Sequence, residues 1–582
     1  MSDPQLVLAA RVQAALGAAF GPGYADADPV IRPSQFADFQ SNAALPLAKR
    51  LEVERGAKQN PRAVAQEIVA NLDVSDICSS VEISGPGFLN LTLRDGWIAE
   101  QVETVRADER LGVPLAEPAQ IIPVDYSAPN VAKEMHVGHL RTTVVGDAFA
   151  RTAEFRGHKV IRQNHVGDWG TPFGMLMEHL LDVGQDSAEA QLLTTDPNTY
   201  YQHAQQKYKN DPEFAERARR RVVKLQAGDP DTLELWHEFI ELSKRYFNEI
   251  YRRLDITLTD EDLAGESKYN AALPGICEEL EAKGIATMSE GALCVFLDGF
   301  TGREGKPVPL IIRKSDGGYN YATTDLATIK YRAQELHADR IIYVIGAPQS
   351  LHLQMLFATA EKAGWLGKTR PFHAAIGNVL GADGKILRTR SGESIKLRSF
   401  IDEAVERAGK VLEDRDYDDA TRREIAQDVG VGAMKYSDLS VARDSEYVFD
   451  WDRMLATTGN TGPYLQYAAA RIRSIFRKAG IEPEKATAPI EITAPAERAL
   501  GLHLLGLGGA IDALIEDVTP HKLASYIYDL ATAFTAFYET CPVLKDGVEP
   551  RVRDSRLALC AVTLRTLVTG LGLLGVRTPE RM

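Results

Sequence analysis

Residues 121–170 read IIPVDYSAPNVAKEMHVGHLRTTVVGDAFARTAEFRGHKVIRQNHVGDWG, and the fold follows from how this stretch is patterned. The apolar run 121–124 is too short for a helix and leads into the turn-forming group Ser127-Ala128-Pro129-Asn130, which predicts a buried strand and then a turn. From Val137 the apolar residues Leu140, Val144, Ala148 and Phe155 recur at near-helical spacing, Gly157 supplies a stop, and Lys159-Val160-Ile161 opens another strand. Strand, helix and strand make one βαβ unit of a parallel sheet.

Where the first strand meets the helix stands His136-Val137-Gly138-His139, with Lys133 just before it. Two imidazoles at this spacing share a face of the helix start, beside its unpaired amide N–H groups and the positive end of its dipole. That is an anion site. Gly138 leaves room for a flat nucleobase against the backbone, while the histidines and Lys133 donate to phosphate oxygens, so the implied ligand is a nucleoside triphosphate. The competing readings are two surface histidines and half of a zinc site. The strand-turn-helix context weighs against the first; the lack of a His-Glu-x-x-His string and of any close cysteine pair weighs against zinc.

At 582 residues the chain has room for three or four domains. Its five cysteines (Cys78, Cys277, Cys294, Cys541, Cys560) are odd in number and scattered, so they form no disulfide framework and fit a reducing compartment. No charged-then-apolar leader opens the sequence and no uninterrupted run of about eighteen apolar residues occurs, so the expectation is a cytoplasmic protein without a membrane partner. A net charge of −15 argues against a general polyanion binder but leaves room for local basic faces. Residues 456–582 carry 14 Lys+Arg against 13 Asp+Glu, or +1, which leaves −16 for the rest.

Residues 1–112 read as a separate α+β domain with an amphipathic first helix, the segment FADFQSNAALPLAKR (36–50), a helix near 61–71, and a strand pair at 80–83 and 88–93 joined through Ser-Gly-Pro-Gly. Asp38, Gln40 and Asn42 there read as caps and turn residues. Residues 113–398 hold the nucleotide-binding sheet. After its second strand, NHVGDWG (164–170) offers His165 and Asp168 as pocket candidates, with a plain tight loop the equal alternative.

A charged helical stretch from 174 is expected to form an insertion reaching about 290, and its run Arg217, Arg219, Arg220, Arg221, Lys224 reads as a solvated face in preference to an RNA contact. The sheet is expected to resume with 293–297, 310–313 and 340–346. Two polar sets follow at strand-to-helix transitions: Tyr321, Thr324 and Asp325, then Gln349 and His352. They face the ligand side of such a sheet, although Asp325 reads equally well as a helix cap.

Residues 377–397, GNVLGADGKILRTRSGESIKL, read as a strand, a turn and a basic loop whose Lys385, Arg388 and Arg390 form a lid over phosphate, or else an ordinary basic hairpin. Beyond 399 the chain turns helical, as a connector to 455 and an all-α unit from 456. In NTGPYLQYAAARIRSIFRK (460–478), Tyr464 and Tyr467 alternate with Arg471, Arg473, Arg477 and Lys478. Stacking plus cations suits unstacked RNA bases; tyrosines in the core with arginines outside is the alternative.

These segments together resemble the class I aminoacyl-tRNA synthetases, and among them the arginyl-tRNA synthetase family, over nearly the whole chain. The most specific part is VDYSAPNVAKEMHVGHLRTTVVGDA, supported by YATTDLA, Gln349-x-x-His352, NTGPYLQYAAARIRSI and RTLVTGLGLLGVRTPERM. The resemblance implies an α/β Rossmann-type parallel-sheet catalytic domain with a helical insertion, an N-terminal α+β domain that contacts the tRNA corner, and an all-α C-terminal helix bundle that binds the anticodon. It implies ligation of L-arginine to tRNA(Arg) through an arginyl-adenylate, with ATP as substrate, Mg2+ carried by the nucleotide, no zinc, and a monomer.

By the same resemblance Lys133, His136, Gly138 and His139 serve the nucleotide. Asp125 and Asp325, with Tyr321 alongside, take the guanidinium, and Asn130, Gln349 and His139 take the backbone ends of the amino acid. Tyr464, Arg471, Arg473 and Arg477 would lie on the tRNA. The family's usual Lys-Met-Ser-Lys-Ser loop reads here Gly384-Lys385-Ile386-Leu387-Arg388-Thr389-Arg390. Many family members share such a loss, with a lysine before His-x-Gly-His in compensation, here Lys133; which cation of 385–390 replaces the usual lysine stays open.

Overall fold

Four parallel strands lie in the spatial order Arg370–Ile376, Arg340–Gly346, Ile121–Asp125, Lys159–Gln163. Asp125 is opposite Gln163 on one side and Tyr343 on the other. The winding direction therefore reverses beside the first strand, and the crevice past its carboxyl end is where such sheets bind ligands. The computed structural model describes residues 3–131, 133–302, 305–388, 394–413 and 415–582.

The strand Ile121–Asp125 ends in Tyr126 and two consecutive left-handed residues, Ser127 (φ 68°) and Ala128 (φ 45°). Side chains sparing neither residue this conformation must hold it from outside. Asn164 accepts the Ala128 N–H through Oδ1 at 3.0 Å, and the Ser127 hydroxyl meets the Tyr251 hydroxyl at 2.8 Å and accepts from Thr143 at 3.0 Å. The helix that follows, Val137–Phe155, is buried over most of its surface. It packs on the sheet, on helix Asp419–Leu439 and on Leu507–Asp517 and Pro550–Leu573 of the C-terminal bundle. Gly146 lets Tyr126 lie directly on this helix, since a Cβ there would overlap the ring.

The expected sheet is corrected in one place. Residues 293–297 and 310–313 lie in strands Ala292–Thr301 and Pro307–Arg313, which pair antiparallel with each other and with Ala286–Ser289 in a separate three-stranded sheet. Short connections favour local antiparallel pairing, whereas a parallel return would need a crossover. The fourth parallel strand, Arg370–Ile376, was not anticipated, because Arg370, Pro371 and His373 dilute its apolar pattern; a proline is tolerated on such an edge strand.

Within the expected insertion, residues 171–253 form five helices, Thr171–Val183, Ala188–Thr195, Pro197–Asn210, Pro212–Gln226 and Pro230–Arg253, and a further helix, Leu273–Ala282, follows. The last three of the five each begin Asp-Pro, with the aspartate side chain accepting a first-turn N–H and proline at a position whose N–H would be unpaired anyway. Its arginine run is paired within the insertion: Arg217 with Glu178 and Asp182, Arg221 with Glu178, and Arg219 and Arg220 with Glu216.

Near the N-terminus, antiparallel strands lie in the order Ile31–Pro33, Phe39–Ser41, Phe88–Leu93, Cys78–Ser84. Asp38 lies, as expected, in the turn between the first two of these strands, its carbonyl accepting the Ser34 N–H at 3.3 Å, but its side chain does more. Both its oxygens take the guanidinium of Arg498 at 2.7 Å, which ties this unit to the C-terminal bundle. Two stretches of that bundle, Pro495–Asp517 and Pro550–Leu573, have the length and hydropathy of a membrane span. The second is largely a core helix, and the first is two helices, Pro495–Leu504 and Leu507–Asp517.

Candidate active site

His136 is the N-cap of helix Val137–Phe155 and His139 its third residue. The Nδ1 of His136 accepts the Gly138 N–H, and the Nδ1 of His139 accepts the His136 N–H, each at 3.1 Å. This is a capping box built from two histidines, their ring centroids 4.0 Å apart. An Nδ1 that accepts carries no proton, so each neutral ring bears its hydrogen on Nε2 and presents it outward. Burial lowers the pKa of both, reinforced by the neighbouring charges: His139 falls to about 3 through burial and His136, and His136 is lowered by burial and Lys133. The pair thus offers two fixed neutral donors at the positive end of a helix.

Gly138 has a reason beyond access for a base. A Cβ there would stand 2.8 Å from Cε1 of His136, so glycine lets the imidazole fold over its own helix start. Asn130 packs against Gly167, whose Cβ would stand 2.7 Å from the amide oxygen, and the two segments also bridge through Val131 N–H to the Gly167 carbonyl. Lys133 points its ammonium at the ring of Tyr201, 4.2 Å from the centroid.

The basic loop is fastened beside the histidines. Val137 donates to the Ile395 carbonyl and Leu397 to that of Met135, at 3.0 and 2.8 Å, so the loop's return limb pairs with the His136 segment. Its outgoing limb doubles back through the bridge of Leu380 with Ile386, leaving Lys385 and Arg388 on the exposed surface. Arg390 lies outside the described residues.

A second polar group gathers past the carboxyl ends of the same parallel strands. Asp125 is ion-paired with Arg332 at 2.9 Å, the two side chains 4% and 0% exposed, and the guanidinium also lies over the Tyr343 ring. Oδ1 of Asp125 is buried and accepts no hydrogen bond among the described residues. Asp325 is not a cap: Asn320 caps helix Tyr321–Gln334, and Asp325 lies in its second turn. His352 donates through Nε2 to Asp325 at 2.7 Å, and His165 Nε2 faces the other oxygen at 3.7 Å. His165 uses Nδ1–H on the Ala264 carbonyl at 2.8 Å, so only the imidazolium has a donor left for Asp325.

Burial opposes that charge, but Asp325 and Asp125 outweigh it and raise the His165 pKa to about 9. Burial likewise opposes the Asp325 charge, yet His165 and His352 hold its pKa at about 2. Tyr321 opens the helix with its ring 4.8 Å from that of His352, and Gln349 ends the short turn Ala347–Gln349 just before it.

Glu266 joins this group and was missed in the sequence, where GES in a loop carries no periodic signal. Burial pushes its carboxyl up to about 7, with Asp168 and Asp325 adding to the effect and His165 opposing it. The oxygens of Asp168 take the Ser267 N–H and hydroxyl at 2.9 and 2.5 Å and so hold the loop that carries Glu266. Among the described residues no three His, Cys, Asp or Glu side chains are arranged to hold a metal ion.

On helix Gly462–Ala479 the expected RNA-contacting set separates. Arg473 is turned inward to the Pro579 carbonyl and Thr578 and holds the C-terminal tail, and Arg477, though exposed, also donates to the Glu580 carbonyl. Tyr464 bonds Thr535 and packs on Tyr528. Arg471 stays with open aromatics, 4.8 Å from the Tyr467 centroid and 5.4 Å from that of Tyr538, on a cavity that Arg477, Lys478 and Lys545 also line.

Comparison with known proteins covers the whole chain. Residues 101–451 match the family described as tRNA synthetases class I (R), catalytic domain; residues 465–582 match the DALR anticodon binding domain, and 6–93 the arginyl tRNA synthetase N terminal domain. The arginine–tRNA ligase of Thermobifida fusca is 67% identical with all of both chains covered, and that of Cellvibrio japonicus 46% identical over 98% of each. Among solved structures, arginyl-tRNA synthetase of Plasmodium falciparum superposes with a TM-score of 0.83 at 31% identity over 99% of both chains. That of Thermus thermophilus, at 24% identity, gives 0.78 over the full length of both.

Proposed function

This chain belongs to the class I arginyl-tRNA synthetases, and from that membership we propose how its residues join L-arginine to tRNA(Arg) at the expense of ATP. The arginine carboxylate attacks the α-phosphorus of ATP, giving arginyl-adenylate and pyrophosphate; the terminal ribose of the tRNA then takes the arginyl group. The first step has little proton transfer to arrange, so it depends on positioning and on donors at the phosphate oxygens.

His136 and His139 supply those donors through Nε2–H, Lys133 adds a positive charge, and Lys385 or Arg388 adds a second from the basic loop. Magnesium travels with the nucleotide; it prefers phosphate oxygens and water to an all-protein cage. Asp325 and Glu266 take the guanidinium, with Tyr321 beside them, because a planar fork of donors calls for carboxylate partners. Asp125, already neutralised by Arg332, has one free buried oxygen and suits the α-ammonium, with Asn130, Gln349 and His139 at the same end of the amino acid. This moves Asp125 from the guanidinium to the other end of the substrate.

Arg471 with Tyr467 and Tyr538 provides a stacking platform for anticodon bases. The protein acts as a monomer in the cytoplasm. The observation that carries this reading is that the paired histidines follow strand Ile121–Asp125 while Asp325 is held by His165 and His352, which follow its two neighbouring strands at the sheet's switch point. Amino-acid-dependent exchange of pyrophosphate into ATP, over a panel of amino acids with and without tRNA, tests it. Exchange with arginine alone is expected; exchange with another amino acid would overturn the pocket assignment.

A further inference from the structure

The helical insertion meets the approach to His136 at several points, among them the Met135 N–H, which donates to the Tyr246 hydroxyl at 3.2 Å, and a junction around Glu134. Glu134, the residue after Lys133, takes Lys396 at 2.7 Å and the Asn198 amide at 2.9 Å, and Asp196 takes the same lysine at 3.2 Å. Lys396 belongs to the return limb of the basic loop, pairing across from His136. The stretch of insertion that begins at Asp196 is therefore bonded both to the approach to His136 and to the loop. One turn further along helix Pro197–Asn210, Tyr201 presents its ring to the Lys133 ammonium at 4.2 Å.

A lysine on a four-carbon stem has many places to go. Beside Lys133 opens a cavity of about 200 Å3 lined by Glu134 and Glu249, whose carboxylates hold Lys396 and Arg398, and by the cationic Arg245. An aromatic face holds a cation without neutralising it, leaving the charge available to a triphosphate. The proximity of Lys133 to His136 is also felt electrostatically, since its charge is among the causes that lower the imidazole pKa.

We propose that Tyr201 is a positioning residue for Lys133, keeping its ammonium beside His136, so that the insertion helps to build the phosphate site. This rests on the assignment of Lys133 to the phosphates.

The test is arginine-dependent pyrophosphate exchange by the full chain with tRNA present, comparing Tyr201→Leu, Tyr201→Phe, Lys133→Ala and the Tyr201→Leu/Lys133→Ala double variant. Tyr201→Leu is expected to lower kcat roughly three- to tenfold, the range of a partly desolvated cation–π contact, with the arginine KM unchanged. Tyr201→Phe, which keeps the ring, restores the rate. The double variant matches Lys133→Ala alone, because the ring has no lysine left to place. A wild-type rate for Tyr201→Leu, a raised arginine KM in it, or losses that multiply in the double variant would each overturn the positioning role. A wild-type rate for Lys133→Ala is a different failure: it removes Lys133 from the phosphates and the inference with it.

Discussion

Arg141 and Asp438 form an ion pair of 3.1 Å with their side chains 1% and 0% exposed, joining the helix that starts at the paired histidines to helix Asp419–Leu439. The same guanidinium donates to the Gly377 and Ser445 carbonyls, each at 2.8 Å. Burial raises the Asp438 pKa to about 6 against the pull of Arg141. Removing one partner strands a buried charge, whereas removing both does not. Arg141→Met should therefore cost about 3–5 kcal/mol in chemical denaturation, and the Arg141→Met/Asp438→Leu pair should recover much of it. Equal losses in the single and double variants would show that the carbonyl contacts, not the charge pair, hold this junction.

His165 and Asp325 make stability depend on pH in a defined direction. The folded-state pKa of His165 is raised from 6.5 to about 9, so its contribution is fully present below about pH 6.5 and is lost as the pH rises through about 9. Asp325 titrates near 2, below the working range. The Tm advantage of wild type over His165→Gln should shrink between about pH 6.5 and pH 9.5. A gap that stays constant would mean that His165 is neutral in the folded protein.

Asp325→Ala should raise the arginine KM by roughly a hundredfold, the scale for truncating one partner of a buried charge pair, while the ATP KM changes little. Steady-state exchange kinetics at varied arginine and ATP separate the two. An unaltered arginine KM would take Asp325 out of the guanidinium pocket.

With a pKa of about 3, His139 is neutral throughout the physiological range. Exchange in wild type should show no acid limb from this residue between about pH 5.5 and pH 8, while His139→Asn should lose roughly 10²- to 10³-fold, as for a lost transition-state donor. A limb near the ordinary imidazole pKa that vanishes in the variant would mean that the working form is charged.

Arg471→Ala and Tyr538→Ala should each raise the tRNA KM about tenfold, at the lower end of base-stacking energies, and leave exchange at saturating tRNA unchanged. Arg473→Ala should act instead on thermal stability, because its partners are Thr578 and the Pro579 carbonyl. Aminoacylation kinetics beside melting curves distinguish these effects.

Much of this was legible in the sequence where the signal is local. Strand, turn, helix and the paired histidines of residues 121–170 follow from periodicity and turn chemistry, and Asp325 stood out at a strand-to-helix transition. What was not legible depends on partners far along the chain. Nothing in IKYRAQ marks Arg332 as the buried partner of Asp125, and nothing near Asp38 in the sequence shows that Arg498 will grip its side chain. Arg473 satisfied the pattern for RNA contact as well as it satisfies the C-terminal tail, since a helix face of cations does not say which carbonyls it will meet. The separate antiparallel sheet escaped because a short apolar run is the same whether its neighbour comes from a hairpin or a crossover.

The capping box of His136 and His139 has a consequence for the thermodynamics of ligand capture. The hydrogen bonds that begin the helix are those that fix both rings, so their rotamer freedom is lost as the chain folds and not when a nucleotide arrives. A triphosphate meets donors already aimed and has no imidazole left to order, which removes an entropic penalty from association. Folding of this helix and assembly of the site are one event, so a chain in which the helix has begun correctly already has its donors in place.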